Sequence, residues 1–308
     1  MSRRRRLLPC ALVLSVLVLV APARAQEAPP DGDFQVTTLA KGADKTGEPI
    51  AMAVLPDRSV LHTSRDGRVW RTTANATTAL AGTIPVYTHD EDGMQGIAID
   101  DDFETNRWVY VYYAPPLDTP AGDAPTNGAG PATFDPYEGH NQLSRIKLTA
   151  TNTLDLATEQ KILQVPADRG ICCHAGGEID FDADGNLYLS TGDDTNPFES
   201  DGFTPIDERL TRNPAFDAQR SSANTNDLRG KLLRIKVNAD GTYTTPAGNL
   251  FPAGQMGTRP EVYAMGFRNP FRFAVDDETG WVYLGDYGPD AGGPSATRGP
   301  GGQVGETP

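Results

Sequence analysis

Residues 171–193 read ICCHAGGEIDFDADGNLYLSTGD, and this stretch decides the fold. Apolar and acidic residues alternate over 179–182, and apolar residues recur at every second position over 187–189. A period of two predicts β-strands. Asp184 and Gly185 lie between the two runs and tolerate the positive φ angles of a tight turn. The stretch therefore predicts a β-hairpin.

A paired hairpin returns the chain to the edge of the sheet from which it started. His174 precedes the first arm and Asp193 follows the second, so we expect both at one edge and interpret that edge as the rim of an active site. Gly176 and Gly177 follow the histidine and would let a ligand approach the backbone closely. From the residues alone, a purely structural role for His174 stays open, whereas His62 lies in a strand pattern that favours one.

The same hairpin pattern recurs along the chain. Its first strands start at residues 52, 97, 179 and 273. Propeller blades repeat every 40 to 50 residues or so, and long loops stretch that period. Outer strands predicted at 143–148 and 232–237 fill the gaps. We therefore expect an all-β protein, a β-propeller with about four blades in this chain, with an irregular β-sandwich as the alternative.

The first 25 residues predict a signal peptide. Arginines occupy 3–6, an apolar run covers 7–20, and Ala-Arg-Ala at 23–25 forms a cleavage site. The apolar run is too short for a membrane span. We therefore expect export by the general or the twin-arginine route, with 26–308 as the propeller domain.

The charge balance is strongly acidic. Removing the predicted signal peptide takes away five arginines and no acids, which moves the net charge from −14 to −19. Such a surface disfavours nucleic acids and anionic membranes as partners. Cys172 and Cys173 are then the remaining cysteines. In an oxidising compartment they suggest a vicinal disulfide, with a buried reduced pair as the alternative.

Few local motifs point to a particular chemistry. The chain has no serine-nucleophile elbow, P-loop, dinucleotide fingerprint or zinc spacing. Residues 180–185 resemble the start of a calcium loop, but Thr191 stands where a bidentate glutamate is required, which favours a polar turn. Arg268 and Asn269 precede Pro270, which favours an extended backbone at Asn269. An arginine there is suited to holding a carboxylate or an oxyanion.

Six short motifs occur in one order and together resemble the soluble glucose/sorbosone-type quinoprotein sugar dehydrogenases. They are EDGMQGIA at 91–98, HAGG at 174–177, DGNLY at 184–188, GD at 192–193, GFRNP at 266–270 and GP at 288–289. The resemblance covers roughly residues 40 to 290. It implies a six-bladed propeller that binds pyrroloquinoline quinone (PQQ) and Ca²⁺.

The resemblance also implies roles for individual residues. His174 matches the general base that takes the proton of the anomeric hydroxyl while hydride leaves for PQQ, and imidazole suits this role near neutral pH. Asp193 matches the acid that orients this base. Arg268 and Asn269 match groups that contact the quinone oxygens. Glu91 matches the residue at the mouth for substrate and cofactor.

Gly288 and Pro289 match main-chain ligands of the calcium ion. The chain departs from the family at Met94 and Gln95, where leucines are common, and at Cys173, where some members have an acid. Later blades of the family contribute further basic residues to the cofactor, and this chain ends before them in a Gly- and Pro-rich stretch. We therefore expect a C-terminally truncated member.

The preferred interpretation is an exported PQQ- and calcium-dependent enzyme. It would oxidise the anomeric hydroxyl of an aldose to a lactone and pass electrons to an external acceptor. One alternative is a calcium-dependent lactonase-type hydrolase on a similar propeller. Another is a non-enzymatic carbohydrate-binding propeller that keeps the scaffold without the redox chemistry.

Overall fold

The computed structural model describes residues 30–297. The predicted signal peptide, residues 1–25, lies outside this range. Residues 30–37 form a short separate segment with one 3-10 turn at Asp31–Asp33. The unit that starts at Thr38 contains all of the described strands.

The described strands form four antiparallel sheets. The first contains β1 (Pro49–Val54), β2 (Val60–Ser64), β3 (Arg68–Thr72) and β4 (Thr78–Thr83); the second contains β5 (Met94–Ile99), β6 (Trp108–Tyr113), β7 (Glu138–Leu148) and β8 (Leu154–Asp168). The third contains β9 (Gly176–Phe181), β10 (Leu187–Thr191) and β11 (Lys231–Val237), with β12 (Tyr243–Thr244) and β13 (Val262–Met265) both paired to β11. The fourth contains β14 (Arg272–Val275) and β15 (Val282–Gly285). The predicted all-β class is confirmed.

Helical structure in the described residues is short. The two α-helices are α1 (Ala43–Thr46) and α2 (Phe103–Asn106). Neither they nor the 3-10 turns have the length and apolar content needed to cross a bilayer. Further 3-10 turns occur at Pro131–Thr133, Asp135–Tyr137, Phe198–Ser200, Pro214–Phe216 and Ala218–Arg220. They lie in the two long connections that follow β6 and β10.

The predicted hairpin is β9–β10, and Ile179 pairs with Leu189. Its turn differs in detail from the prediction. Gly185 has a φ of +68°, whereas Asp184 does not share the positive φ expected of it. The carboxylate of Asp182 accepts the backbone N–H of Asp184 at 3.1 Å, a local bond typical of Asx turns. The calcium-like motif is therefore a polar turn stabilised by its own side chain, as the sequence favours.

The four sheets follow one another in space, because the strands β1, β5, β9 and β14 are neighbours in that order. The backbones of β5 and β9 come very close at two glycines. A Cβ at Gly96 would lie 1.9 Å from the carbonyl oxygen of Gly177, so a side chain cannot fit there. This arrangement is propeller-like, and the count of six blades stays a prediction.

The apolar core consists of layers between successive sheets. Each layer draws buried side chains from both of the sheets that it joins. Examples are Leu61 with Ile97 between the first and second sheets, Tyr110 with Ile179 between the second and third, and Tyr188 with Phe273 between the third and fourth. Burial of each large apolar side chain contributes about 1.5–3 kcal/mol. The third sheet is therefore covered on both faces.

Candidate active site

The hairpin β9–β10 brings His174 and Asp193 together, as predicted. The Nδ1 atom of His174 lies 2.6 Å from Oδ1 of Asp193. Both side chains are buried, with exposed fractions of 4% and 1%. A carboxylate only accepts hydrogen bonds, so Nδ1–H donates and Nε2 keeps its lone pair. The pair is therefore arranged as a base and the acid that orients it.

Thr195 completes this arrangement, and the sequence analysis missed it. Its hydroxyl donates to Oδ1 of Asp193 at 2.8 Å, and its backbone N–H donates to the same oxygen at 3.0 Å. Thr195 is fully buried. An Asp-x-Thr spacing is itself a signal for such local bonds. The threonine fixes the carboxylate that orients His174.

Glu91 anchors the loop that carries the histidine. Its Oε2 atom accepts the backbone N–H of His174 at 2.7 Å and that of Ala175 at 3.3 Å. The backbone at His174 has a φ of +66°, which is unfavourable for a residue with a Cβ. The glutamate predicted at the mouth of the site thus holds the strained histidine loop in place.

Gly176 and Gly177 lie where neighbouring parts of the protein come very close. A Cβ at Gly176 would lie 2.6 Å from the backbone nitrogen of Gly192, and one at Gly177 would lie 2.4 Å from Cβ of Gln95. Their φ angles are +64° and +113°. The close approach that they permit in this structure is between neighbouring parts of the protein, and a ligand against this backbone stays a prediction.

Arg268 and Asn269 contact the same hairpin from the segment before β14. Oδ1 of Asn269 accepts the backbone N–H of Gly176 at 3.1 Å. The carbonyl oxygen of Arg268 accepts the backbone N–H of Asp193 at 2.7 Å. Both side chains are buried. The structure therefore brings the predicted cofactor contacts against the predicted base and its acid.

The guanidinium of Arg268 faces the segment that contains the predicted calcium ligands. It donates to Oδ2 of Asp290 at 2.8 Å and to the carbonyl oxygen of Tyr287 at 3.4 Å. Gly288 and Pro289 lie between these two partners in the chain. Within residues 30–297, the buried Nε atom of Arg268 has no hydrogen-bond partner. The residues predicted to contact the cofactor therefore lie next to those predicted to bind the metal. The Nε–H of Arg268 is left as a buried donor there without a partner in the described residues.

Asp286 holds the backbone of this segment. Its two carboxylate oxygens accept the N–H groups of Arg268 at 3.2 Å and of Asn269 at 2.8 Å. Tyr287, the next residue, donates its N–H to the carbonyl oxygen of Asn269 at 3.1 Å. These hydrogen bonds hold residues 286–287 against residues 268–269 and so fix the backbone from which the side chains of Arg268 and Asn269 extend.

A buried ionic network supports the other side of the site. Arg229 lies 2.7 Å from Asp227, 3.1 Å from Asp194 and 3.3 Å from Asp168. Burial raises the pKa of Asp194 well above its usual range, as does the charge of Asp168, while Arg229 opposes the rise. Asp194 directly follows Asp193 in the chain. The network therefore fixes the turn that presents the predicted acid, and no local sequence pattern indicates it.

Two further acids near the inner strands have raised pKa values. Burial raises the pKa of Asp92 to about 6 although Arg169 lies 2.6 Å away. Burial likewise raises the pKa of Glu178 to about 7, opposed by Arg272 at 3.1 Å. Glu178 belongs to β9 and Arg272 to β14, so this ion pair links the third and fourth sheets.

Cys172 and Cys173 are joined as a vicinal disulfide directly before His174. The backbone N–H of Cys173 donates to the carbonyl oxygen of Thr195 at 3.2 Å. This bond connects the histidine loop to the loop after Asp193. His62, by contrast, bonds Thr72 at 2.8 Å through Nε2 and lies far along the chain in β2, as expected for a structural histidine.

The sequence of this chain matches a known protein family and known relatives. A family model described as Glucose / Sorbosone dehydrogenase matches residues 46–294. The chain is similar to the aldose sugar dehydrogenase YliI of Escherichia coli K12, with 26% identity over 253 residues, which cover 81% of this chain and 56% of YliI. The chain thus spans little more than half the length of this relative.

Two solved structures share the fold. One is a putative oxidoreductase (glucose dehydrogenase) from Thermus thermophilus, with 27% identity and a TM-score of 0.56 over 79% of this chain and 59% of that one. The other is the PQQ-bound aldose sugar dehydrogenase of Streptomyces coelicolor, with 25% identity and a TM-score of 0.51 over 79% and 57%. Since the family model matches most of the chain, the resemblance seen in the six motifs is confirmed, and the chain belongs to the glucose/sorbosone dehydrogenase family.

Proposed function

We propose that this chain carries the active site of an exported aldose dehydrogenase that oxidises the anomeric hydroxyl of its substrate to a lactone. The enzyme would use PQQ and Ca²⁺ on a six-bladed propeller. The observation that carries the proposal is the buried His174–Asp193 pair in direct contact with the Arg268–Asn269 segment. Membership of the sugar dehydrogenase family supports it.

His174 acts as the general base. Because Asp193 accepts the Nδ1–H proton, Nε2 is the atom that takes the proton of the anomeric hydroxyl. The imidazolium formed in this step is stabilised by the buried carboxylate beside it. Thr195 keeps that carboxylate oriented, so the base keeps one tautomer and one direction.

The residues on the opposite side fit a quinone cofactor with carboxylate groups. Bound PQQ would supply a two-electron acceptor for the hydride that leaves the sugar. Arg268 would hold its oxygens, since the buried Nε is a donor without a partner in the described part of the chain. Asn269 adds an amide at the same place. Buried donors of this kind stabilise negative charge more strongly than exposed ones.

The calcium ion would lie at Gly288 and Pro289, whose main-chain oxygens are the hard ligands that Ca²⁺ prefers. A Cβ placed at Gly288 would meet no atom within 4 Å among the described residues, so there is open space on that side. One carboxylate oxygen of Glu91, Oε2, accepts the N–H groups of the histidine loop. Its part in binding is therefore to position that loop at the mouth of the site.

The lactonase alternative requires free carboxylates that converge on one ion. Here the carboxylates of Glu91, Asp193 and Asp286 each accept hydrogen bonds from the protein. The match to the sugar dehydrogenase family supports the dehydrogenase over the hydrolase. Export is supported by the vicinal disulfide, which persists in oxidising compartments, and an acceptor outside the cytoplasm would then receive the electrons.

The test is reduction of an electron-accepting dye by the purified protein with PQQ, Ca²⁺ and a panel of aldoses. We expect PQQ-dependent dye reduction together with formation of the aldonolactone. A PQQ titration should also change the absorbance spectrum of the cofactor. Hydrolysis of lactones without any dye reduction or spectral change would contradict the proposal and favour the lactonase.

A further inference from the structure

Lys231, the first residue of β11, is a fully buried cation. Its Nζ atom donates to three main-chain carbonyl oxygens, those of Arg229 at 2.6 Å, Ser221 at 2.9 Å and Ser222 at 3.1 Å. A lysine ammonium has three donors, so these bonds use all of them. A buried charge is costly unless it is hydrogen-bonded in this way. The ammonium therefore joins residues 221–222 to residue 229, although it has no part in the proposed chemistry.

The position of Lys231 in the sheet connects it with both sides of the candidate active site. The strand β11 lies between β10 and β13, and Lys231 pairs with Thr191 in one and Met265 in the other. Thr191 and Met265 are the last residues of their strands. The chain reaches Asp193 two residues after Thr191 and Arg268 three residues after Met265. Lys231 therefore lies at the edge where the acid and the predicted cofactor arginine both leave the sheet.

Gly230 is the backbone link between these two segments. Its N–H donates to the carbonyl oxygen of Gly192 at 2.7 Å. Its carbonyl oxygen accepts the N–H groups of Gly266 at 3.1 Å and Phe267 at 3.2 Å. This one residue therefore fixes the distance between the segment that carries the acid and the segment that carries the predicted cofactor contacts.

The ammonium of Lys231 holds the two groups that flank Gly230. The carbonyl group of Arg229 forms the peptide bond to Gly230, and it is one of the three acceptors. Ser222 carries another acceptor and packs so closely that a Cβ on the glycine would lie 2.3 Å from Cβ of the serine. Gly230 has a φ of +65°, which glycine adopts readily. Its conformation is therefore held by these contacts and not by a side chain of its own.

We propose that Lys231 is a positioning residue that sets the separation between His174 and the Arg268–Asn269 segment. It touches neither substrate nor cofactor and acts through Gly230. The anomeric carbon loses a proton from its hydroxyl group on one side and a hydride from its C–H bond on the other. Both sides must therefore be held at one distance, and a displacement of about 1 Å lowers the rate by up to about 100-fold. This inference rests on the proposed aldose oxidation.

The experiment compares Lys231→Met and Lys231→Gln with the unaltered chain in steady-state dye reduction with PQQ and Ca²⁺. Methionine is unbranched and has no donor, so kcat should fall by about 10- to 100-fold. Glutamine keeps two donors, so its kcat should fall by only about threefold. The KM for the aldose and the Kd for PQQ from a spectral titration should change by less than about twofold, because each binding segment stays intact.

Deuterium exchange of backbone amides tests the same link without cofactor or substrate. The N–H groups of Gly230 and Phe267 should exchange about 10-fold faster in Lys231→Met than in the unaltered chain, and by a smaller factor in Lys231→Gln. If Lys231→Met does not fold, Lys231→Gln carries both comparisons. Unchanged exchange at these two amides overturns the inference, whether or not the protein oxidises sugars, and so does a normal kcat in the folded variants.

The matched control is Leu233→Ala in the same strand. Leu233 is buried in the core layer between the second and third sheets, so its truncation opens a cavity and lowers the urea midpoint. Its kcat should stay within about twofold of the unaltered chain. A fall in kcat as large as in Lys231→Met would show that lost stability alone explains the effect, and would overturn the positioning role. Absence of dye reduction by the unaltered chain overturns the proposed function, and the exchange rates then still decide whether Lys231 holds the link.

Discussion

His174 and Asp193 lie in the loops at one end of a sheet that packs against neighbours on both faces, whereas Arg268 and Asn269 precede a sheet of two strands. In that smaller sheet Tyr283 is 59% exposed. The side with the proposed base His174 is thus enclosed by protein, and the side with the proposed cofactor contacts Arg268 and Asn269 is bounded by protein on one face in the described part of the chain. The two sides therefore differ in how many protein contacts hold their residues in place.

This difference fits the chemistry of each side. A proton-transfer base must be held at hydrogen-bond distance from its substrate, and small displacements cost much of the rate. Residues that bind a large cofactor gain order from that cofactor when it binds. Buried bonds are therefore concentrated at Asp193, and the segment around Arg268 relies on Asp286 and Asp290.

The strongest contrast concerns the base itself. His174→Ala should lower kcat by about 10³-fold, because the general base is lost while binding groups remain. The measurement is steady-state dye reduction with PQQ and Ca²⁺. His62→Ala, at a histidine whose Nε2 bonds Thr72, should leave kcat within about twofold. A His174→Ala enzyme with near-normal kcat would remove the proposed base.

The next contrast is in stability. Arg229→Met leaves the half-buried carboxylates of Asp194 and Asp227 without their cation, while Asp168 keeps Arg220, so the free energy of unfolding should fall by about 3 kcal/mol. On the cofactor side, Asp290→Asn breaks an ion pair whose carboxylate is 53% exposed, and the expected loss is below about 1 kcal/mol. Urea unfolding measures both. Similar losses of unfolding free energy in the two variants would show that the two sides do not differ in how strongly their ion pairs stabilise the fold.

Glu178 joins the two sides through Arg272 and makes stability depend on pH. Burial raises its pKa from 4.5 to about 7. Between these values the unfolded chain releases the proton and the folded chain keeps it, so the free energy of unfolding falls as pH rises. The fall from this group is about 3 kcal/mol. Glu178→Gln should remove this part of the slope in urea unfolding across that pH range.

Arg272→Met provides the matched test of the same link. It removes the cation that opposes the raised pKa of Glu178, so the fall in stability should start at the same pH and continue to a higher pH. A pH profile that is the same in both variants and in the unaltered chain would show that Glu178 does not titrate in this range.

The smallest effect is expected at Thr195. Thr195→Val keeps the shape and removes the hydroxyl that donates to Asp193, so kcat should fall about 10-fold with KM unchanged. The control is Thr191→Val, because this buried hydroxyl bonds the carbonyl oxygen of Leu228 and does not touch the acid. Stability loss without a change in kcat at Thr195 would reduce it to a structural role.

Local patterns predicted the parts of the molecule that local forces determine. The alternation along β9 and β10 and the glycine turn between them predicted the hairpin, and the hairpin alone was enough to place His174 beside Asp193. The strand β8 was missed, because its sequence LDLATEQKILQVPAD is largely polar and contains a proline. Its pairing with β7 decides its structure.

The contacts that could not be predicted join distant parts of the chain. The bonds from the histidine loop to Glu91, and from Arg229 to Asp168, depend on how loops of different sheets meet. Neither has a repeating spacing that a single sequence displays. The cavity of about 260 Å³ that is lined by Asp123, Gly170 and Phe198 could not be predicted for the same reason, because its walls come from three separate connections of the chain.

The bond between Glu91 and the N–H of His174 crosses from the second sheet to the third. The amide proton of His174 is consequently shielded for as long as these two sheets stay together. Its exchange with deuterium from the solvent should be as slow as that of the central strands, although it lies in a loop. The exchange rate of this single amide therefore indicates whether the second and third sheets have separated.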